Sequence, residues 1–155
     1  MSVSGNQDTF GKILNSTYQI SDSLGYSLKE LENKSINVLM PEYIRSKHDT
    51  ILEEYFTKNK IYTGASDILN IHPVNSKGYL KLGKSRVKLF PDIQEGIVLF
   101  AVSYLIDVTT LIEDYDLDEE LHHITFVANT GEVLGVSEGM HEHFGLDPKF
   151  FSDLR

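Results

Sequence analysis

His48 is the residue whose type and setting could do chemistry. Between Pro41 and Lys58 it shares an apolar stripe with Ile44, Ile51, Leu52, Tyr55 and Phe56 at helical spacing, while Glu42, Arg45, Lys47, Asp49, Glu53 and Glu54 fill the rest of the turn. A neutral imidazole nitrogen in apolar surroundings can coordinate a metal or hydrogen-bond a neighbour. Two other histidine pairs are poorer candidates. His122 and His123 are adjacent on an expected strand and point to opposite faces, and His141 and His143 are two apart on an expected helix, so neither pair makes a two-tooth chelate. They read as surface histidines, and no metal site is expected. The carboxylate runs Glu53-Glu54 and Asp118-Glu119-Glu120 read as solvated faces. The chain has no Cys, which excludes a disulfide framework, a thiolate nucleophile, Cys-ligated zinc, an iron-sulfur cluster and a cysteinyl flavin adduct. No G-x-x-x-x-G-K-[ST], G-x-G-x-x-G, H-E-x-x-H or G-x-S-x-G occurs, so an enzyme is not expected.

These residues belong to a chain of 155, with 14 Lys and Arg against 23 Asp and Glu and 41% apolar residues. The length fits one domain and part of another, and the apolar fraction supports a packed core. A net charge of -9 gives no field for collecting phosphate backbones or anionic lipid, so neither nucleic acid nor a membrane surface is an expected partner. No stretch approaches the roughly 18 apolar residues that a membrane-crossing helix needs, and Ser2, Ser4, Asn6 and Asp8 do not make a signal peptide. The segment is expected to be soluble and not to insert directly into a membrane.

The elements that must position His48 can be read in order. Met1 to Asn6 and Thr9 to Leu14 are expected as short strands around the polar turn Gly5-Asn6-Gln7-Asp8. Tyr18, Ile20 and Leu24 precede Gly25, a C-terminal helix cap, and Ser27-Leu28-Lys29-Glu30 matches a capping box before a turn that Asn33 would end. Pro41 begins the long helix, expected to reach about Lys58. A meander then follows: Ser66 to Val74, the turn Asn75 to Gly78, Tyr79 to Phe90, the loop Pro91 to Gly96, and Ile97 to Thr109. The apolar phase shifts between Leu80/Leu82 and Val87/Leu89, which suggests a bulge near Gly83. The segment from Ile97 to Val102 is apolar on both faces and should lie centrally, with helices over one face of the sheet.

An internal echo sets the organisation. Gly11-Lys12-Ile13-Leu14 aligns with Gly131-Glu132-Val133-Leu134, and Leu24-Gly25-Tyr26 with Phe144-Gly145-Leu146, at a constant offset of 120 residues. Between the two copies, Leu111 to Glu120 holds six acids among Leu111, Ile112, Tyr115 and Leu117 and reads as a partly helical acidic connector.

In this order the chain resembles a PAS domain. The resemblance rests on Gly11 to Leu14, Leu24-Gly25-Tyr26-Ser27-Leu28-Lys29-Glu30-Leu31, Leu39-Met40-Pro41, His48-Asp49, Gly78-Tyr79 and Asp107-Val108-Thr109. The variant is similar to PAS modules of large protist membrane proteins and of bacterial sensor kinases. It implies an α+β fold: a five-stranded antiparallel sheet with short helices and one longer helix packed on one face. The implied division is a PAS domain over 1–110, the connector over 111–120, and an incomplete second copy over 121–155.

The function implied is that of a regulatory module of a larger signalling protein, on the cytoplasmic side and with a membrane-bound parent as one option. It would act by interaction and conformational coupling with neighbouring PAS or other domains of the same assembly. Asp107, Val108 and Thr109 would be its signal exit. No cofactor is required, though a small ligand could occupy a core pocket walled by Ile44, Ile51, Leu52, Leu80, Leu82, Val87, Leu99 and Ala101. The alternative is a haem-based gas or redox sensor, because the family's haem-binding members ligate iron through the His of a His-Asp pair, here His48 and Asp49. The aligned strand start Asp67-Ile68-Leu69-Asn70 lacks the Arg that such sensors use for bound oxygen. Otherwise His48 is a structural side chain, hydrogen-bonded locally.

Overall fold

The structure is a computed structural model that describes residues 1–58, 68–94, 96–105, 124–126 and 130–152. It is an α+β arrangement. Strands β1 (Ser2–Ser4), β2 (Ile13–Asn15), β3 (Ile68–Ile71), β4 (Gly83–Asp92) and β5 (Gly96–Leu105) form one antiparallel sheet in the order β2-β1-β5-β4-β3. The apolar β5 is the central strand, between β1 and β4, but only one of its faces is covered: Leu99 and Ala101 are buried while Phe100, Val102 and Tyr104 are exposed.

Between β2 and β3 lie α1 (Tyr18–Leu24), α2 (Leu28–Leu31), a 3-10 turn (Ile36–Leu39) and α3 (Glu42–Lys58). Their starts and stops follow local chemistry. Gly25 takes the left-handed conformation that ends α1. The capping box at α2 forms as expected: Ser27 Oγ accepts from the Glu30 amide at 3.2 Å, and Glu30 Oε2 accepts from the Ser27 amide at 2.7 Å. Asn33, at φ 59°, turns the chain back. The Pro41 carbonyl accepts the first bonds of α3, from the amides of Ile44 and Arg45.

These helical pieces cover one sheet face. Leu24, Leu31, Ile36, Leu39 and Leu52 bury against Val3, Ile13, Leu99 and Ala101. At one end of α3 the packing is close: Phe56 meets Phe10 edge-on at 5.3 Å, and a Cβ at Gly5 would collide with the Phe56 ring. Along the rest of α3 the stripe is only half covered, and Ile51 is 41% exposed.

The expected bulge is absent from β4. Its pairing with β5 runs unbroken from Gly83 opposite Leu105 to Asp92 opposite Gly96. The phase shift has another cause: Tyr79 to Leu82 precede the strand, tied by a separate bridge between Val74 and Leu80. For the same reason β4 starts at Gly83 rather than Tyr79, and β3 ends at Ile71 rather than Val74. Ser66, Asp67 and the stretch 106–109 of the expected strands lie outside the described residues.

The echo recurs in the backbone. Strands β6 (Ile124–Phe126) and β7 (Val133–Val136) pair antiparallel with a register shift, as β1 and β2 do. Gly131 has φ 72° where Gly11 has 73°. Helix α4 (Glu138–Phe144) ends at Gly145 with φ 68°, as α1 ends at Gly25 with φ 71°, and α5 (Lys149–Ser152) follows. No described helix is long and apolar enough to cross a membrane.

Candidate functional site

Between α3 and the sheet lies a cavity of about 760 Å³. Its volume falls in the range of small-molecule sites, and its wall is mostly apolar. Helix α3 contributes Ile44, His48, Ile51, Leu52 and Tyr55; β4 and β5 contribute Ser85, Val87, Leu99, Ala101 and Ser103. Leu24 of α1, Ile36 and Leu39 of the 3-10 turn, and Ile71, His72 and Pro73 complete the lining. Seven residues expected around the site, Ile44, His48, Ile51, Leu52, Val87, Leu99 and Ala101, therefore share one cavity. Leu80 and Leu82 do not line it. Leu80 is 2% exposed and packs beside Gly135 of β7.

His48 is held by a short relay. Its Nδ1 lies 2.7 Å from Asn37 Oδ1, while Asn37 Nδ2 donates to Asp49 Oδ1 at 2.8 Å. The carboxylate can only accept, so it fixes the Asn37 amide with its oxygen towards the imidazole. The proton then resides on Nδ1 of neutral His48, and Nε2 keeps its lone pair. Burial lowers the His48 pKa from its ordinary value, and the Asp49 carboxylate acts in the opposite, weaker direction. The neutral ring is the favoured form.

The sheet wall carries a second polar point. Ser85 and Ser103 are cross-strand partners on the inward face, and Ser103 Oγ donates to Ser85 Oγ at 2.8 Å. Ser85 Oγ in turn faces the Val102 carbonyl at 3.5 Å, the long limit of a hydrogen bond. Among the described residues, no Asp, Glu, Lys or Arg lines the cavity. A haem fits this lining poorly: His48 could offer Nε2 to iron, but two propionates would meet no Lys or Arg and only the Met1 α-ammonium, which already donates to the Ala101 carbonyl.

A pinned loop joins the cavity to β7 and α4. Val74 N donates to Leu39 O at 2.9 Å, Ser76 N to Leu24 O at 2.8 Å, and Tyr26 Oη to Asn75 O at 3.2 Å. Buried Asn75 closes the turn by accepting from the amides of Lys77 and Tyr79. On its other side the loop meets β7 and α4. Leu80 N donates to Val136 O at 2.9 Å, Lys77 pairs with Glu138, and the Tyr79 and His141 rings lie 5.8 Å apart. The Lys77 ammonium lowers the Glu138 pKa, chiefly through their hydrogen bond. A Cβ at Gly135 would sit 2.5 Å from Leu80 Cδ1, so the glycine permits this approach.

The opposite sheet face is open. Phe90, Phe100, Val102 and Tyr104 are exposed there, with Phe90 edge-on to Phe100 at 6.0 Å. Lys88, Arg86 and Lys84 stand opposite Phe100, Val102 and Tyr104 across the strand pair.

Sequence reading missed Asn37, Ser85, Ser103 and the seam at Leu80. Ser85 and Ser103 did carry a signal, as small polar residues in the inward phase of β4 and β5. Asp107, Val108, Thr109, the acidic connector, His122 and His123 lie outside the described residues. His141 and His143 fall on α4, and no group of three His, Asp or Glu suited to a metal forms among the described residues. Comparison with family models and with curated proteins finds no match to this chain.

Proposed function

We propose that this chain is a PAS-like regulatory segment of a larger signalling protein, in which the state of the core cavity is coupled to the neighbouring copy of the module. The observation that carries the reading is the loop 72–81, whose His72 and Pro73 line the cavity while Lys77, Tyr79 and Leu80 hold β7 and α4. A wall that serves two neighbours transmits displacement from one to the other, because packed interiors shift between arrangements rather than deform freely. The order of two short strands, small helices, one longer helix and a three-stranded meander is that of PAS modules and supports the same reading.

The open sheet face adds an interaction surface. Its apolar residues with Lys84, Arg86 and Lys88 suit a neighbouring domain whose contact face is apolar with an acidic rim.

Charge reversal at the seam tests the coupling of the two copies. Lys77→Glu and Glu138→Lys should each speed hydrogen exchange at the Leu80 amide severalfold, and the double variant should restore protection, since an exposed pair contributes less than about 1 kcal/mol. Single variants with unchanged exchange across 77–81 would contradict a seam held by these contacts.

A further inference from the structure

The lining of the cavity selects for ligand charge. Burying an ion without a partner is strongly unfavourable, and among the described residues no carboxylate, ammonium or guanidinium side chain lines this wall; the one cationic group there, the Met1 α-ammonium, already donates to the Ala101 carbonyl at 3.1 Å, and burial lowers its pKa. Anionic cofactors, nucleotides and carboxylate metabolites are therefore disfavoured on the same ground as haem.

Thr17, Gln19, Ser23 and Asn70 line the cavity from exposed positions, and the Tyr55 hydroxyl is committed to the Val87 carbonyl, so the polar points of the helix and sheet walls define the rest of the chemistry. On the helix side, His48 Nδ1–H is committed to Asn37, which leaves Nε2 as a hydrogen-bond acceptor. On the sheet side, Ser103 directs its proton to Ser85, and Ser85 directs its own towards the Val102 carbonyl. The Ser103 oxygen retains acceptor capacity. His48 Nε2 and the Ser103 oxygen thus ask for a donor, and Ile44, Leu52, Val87, Leu99 and Ala101 ask for apolar area.

We propose that the cavity binds an uncharged, largely apolar small molecule that presents an N–H or O–H donor. This rests on reading the cavity as the sensory site of the segment, and it names the class of molecule sensed.

A matched pair of fluorescent probes tests it on the full chain. N-phenyl-1-naphthylamine is neutral, with two aromatic units and one N–H, and 8-anilinonaphthalene-1-sulfonate is the same molecule with a sulfonate added. The neutral probe should bind saturably, one per chain, and the sulfonate at least about tenfold more weakly. Ile51→Lys then places a cation at the half-exposed edge of the cavity, where a charged head can stay hydrated, and should narrow that preference.

Equal or tighter binding of the sulfonate to the unaltered chain would overturn the ligand class, as would absence of neutral-probe binding. A preference unchanged by Ile51→Lys would place the probe elsewhere and overturn the site. None of these results touches the seam, which the Lys77 and Glu138 reversals test without any ligand. Conversely, loss of the seam with selective probe binding intact would remove the coupling and leave the ligand class standing.

Discussion

Burial holds His48 neutral, and its protonation therefore opposes folding. The folded pKa lies below the ordinary value of about 6.5, which the unfolded chain recovers. Above that unfolded value the imidazole is neutral in both states and the contribution is fully present. As pH falls through the folded value the unfolded chain has already taken up a proton, and stability is lost. Urea midpoints measured from pH 7.5 down to 5 should fall, and His48→Gln should flatten that part of the slope. An equal slope in the variant would assign the titration to another group. The stripe that made His48 conspicuous was legible from helical spacing. Asn37 was not, because the relay joins a 3-10 turn to a helix 11 residues away, and no local pattern encodes which amide will face which ring.

At the scale of elements, the caps and turns follow from residue type, because each solves a local problem of unsatisfied backbone groups. Gly25 and Gly145 are the same solution used twice, and their surroundings separate two costs. A side chain at either must adopt the left-handed conformation, which costs roughly 1–2 kcal/mol. At Gly25 a Cβ would also lie 2.6 Å from Ser76 Oγ, whereas at Gly145 nothing lies within 4 Å. Gly25→Ala should thus lower the denaturant midpoint more than Gly145→Ala; equal losses would remove the close approach of the Ser76 turn to α1 as an energetic feature. Strand limits were harder to read. Tyr79 to Leu82 are apolar enough to extend β4, yet the bridge to Val74 and the bond from Leu80 to Val136 take their backbone groups elsewhere. Alternation along a sequence reports which side chains are buried, but not by which neighbour.

At the scale of the whole molecule, the described residues place a cavity on one face of the central strand β5, exposed side chains on its other face, and a seam where the loop 72–81 meets β7 and α4. The 120-residue echo was legible in the sequence, but the seam that the loop 72–81 makes with β7 and α4 was not. Lys77 and Glu138 meet across 61 residues, and Leu80 fills space beside a glycine whose lack of a side chain gives no sequence signal of its own. The cavity was legible as a set of apolar positions, although its lack of Asp, Glu, Lys and Arg side chains emerges only when the inward phases of α3, β4 and β5 are brought together.

Coupling between cavity and seam is tested most directly by methyl NMR of Leu80→Val, a truncation small enough to leave the chain folded. Leu39 and Ile71 line the cavity and adjoin the loop through the Val74 bond and the chain itself, while Leu31 lies in the core outside the cavity lining. The expected result is a shift of the Leu39 and Ile71 methyl resonances with Leu31 unmoved. Shifts confined to the neighbours of Leu80 in β7 and α4 would contradict the coupling and leave two adjoining units that do not inform each other.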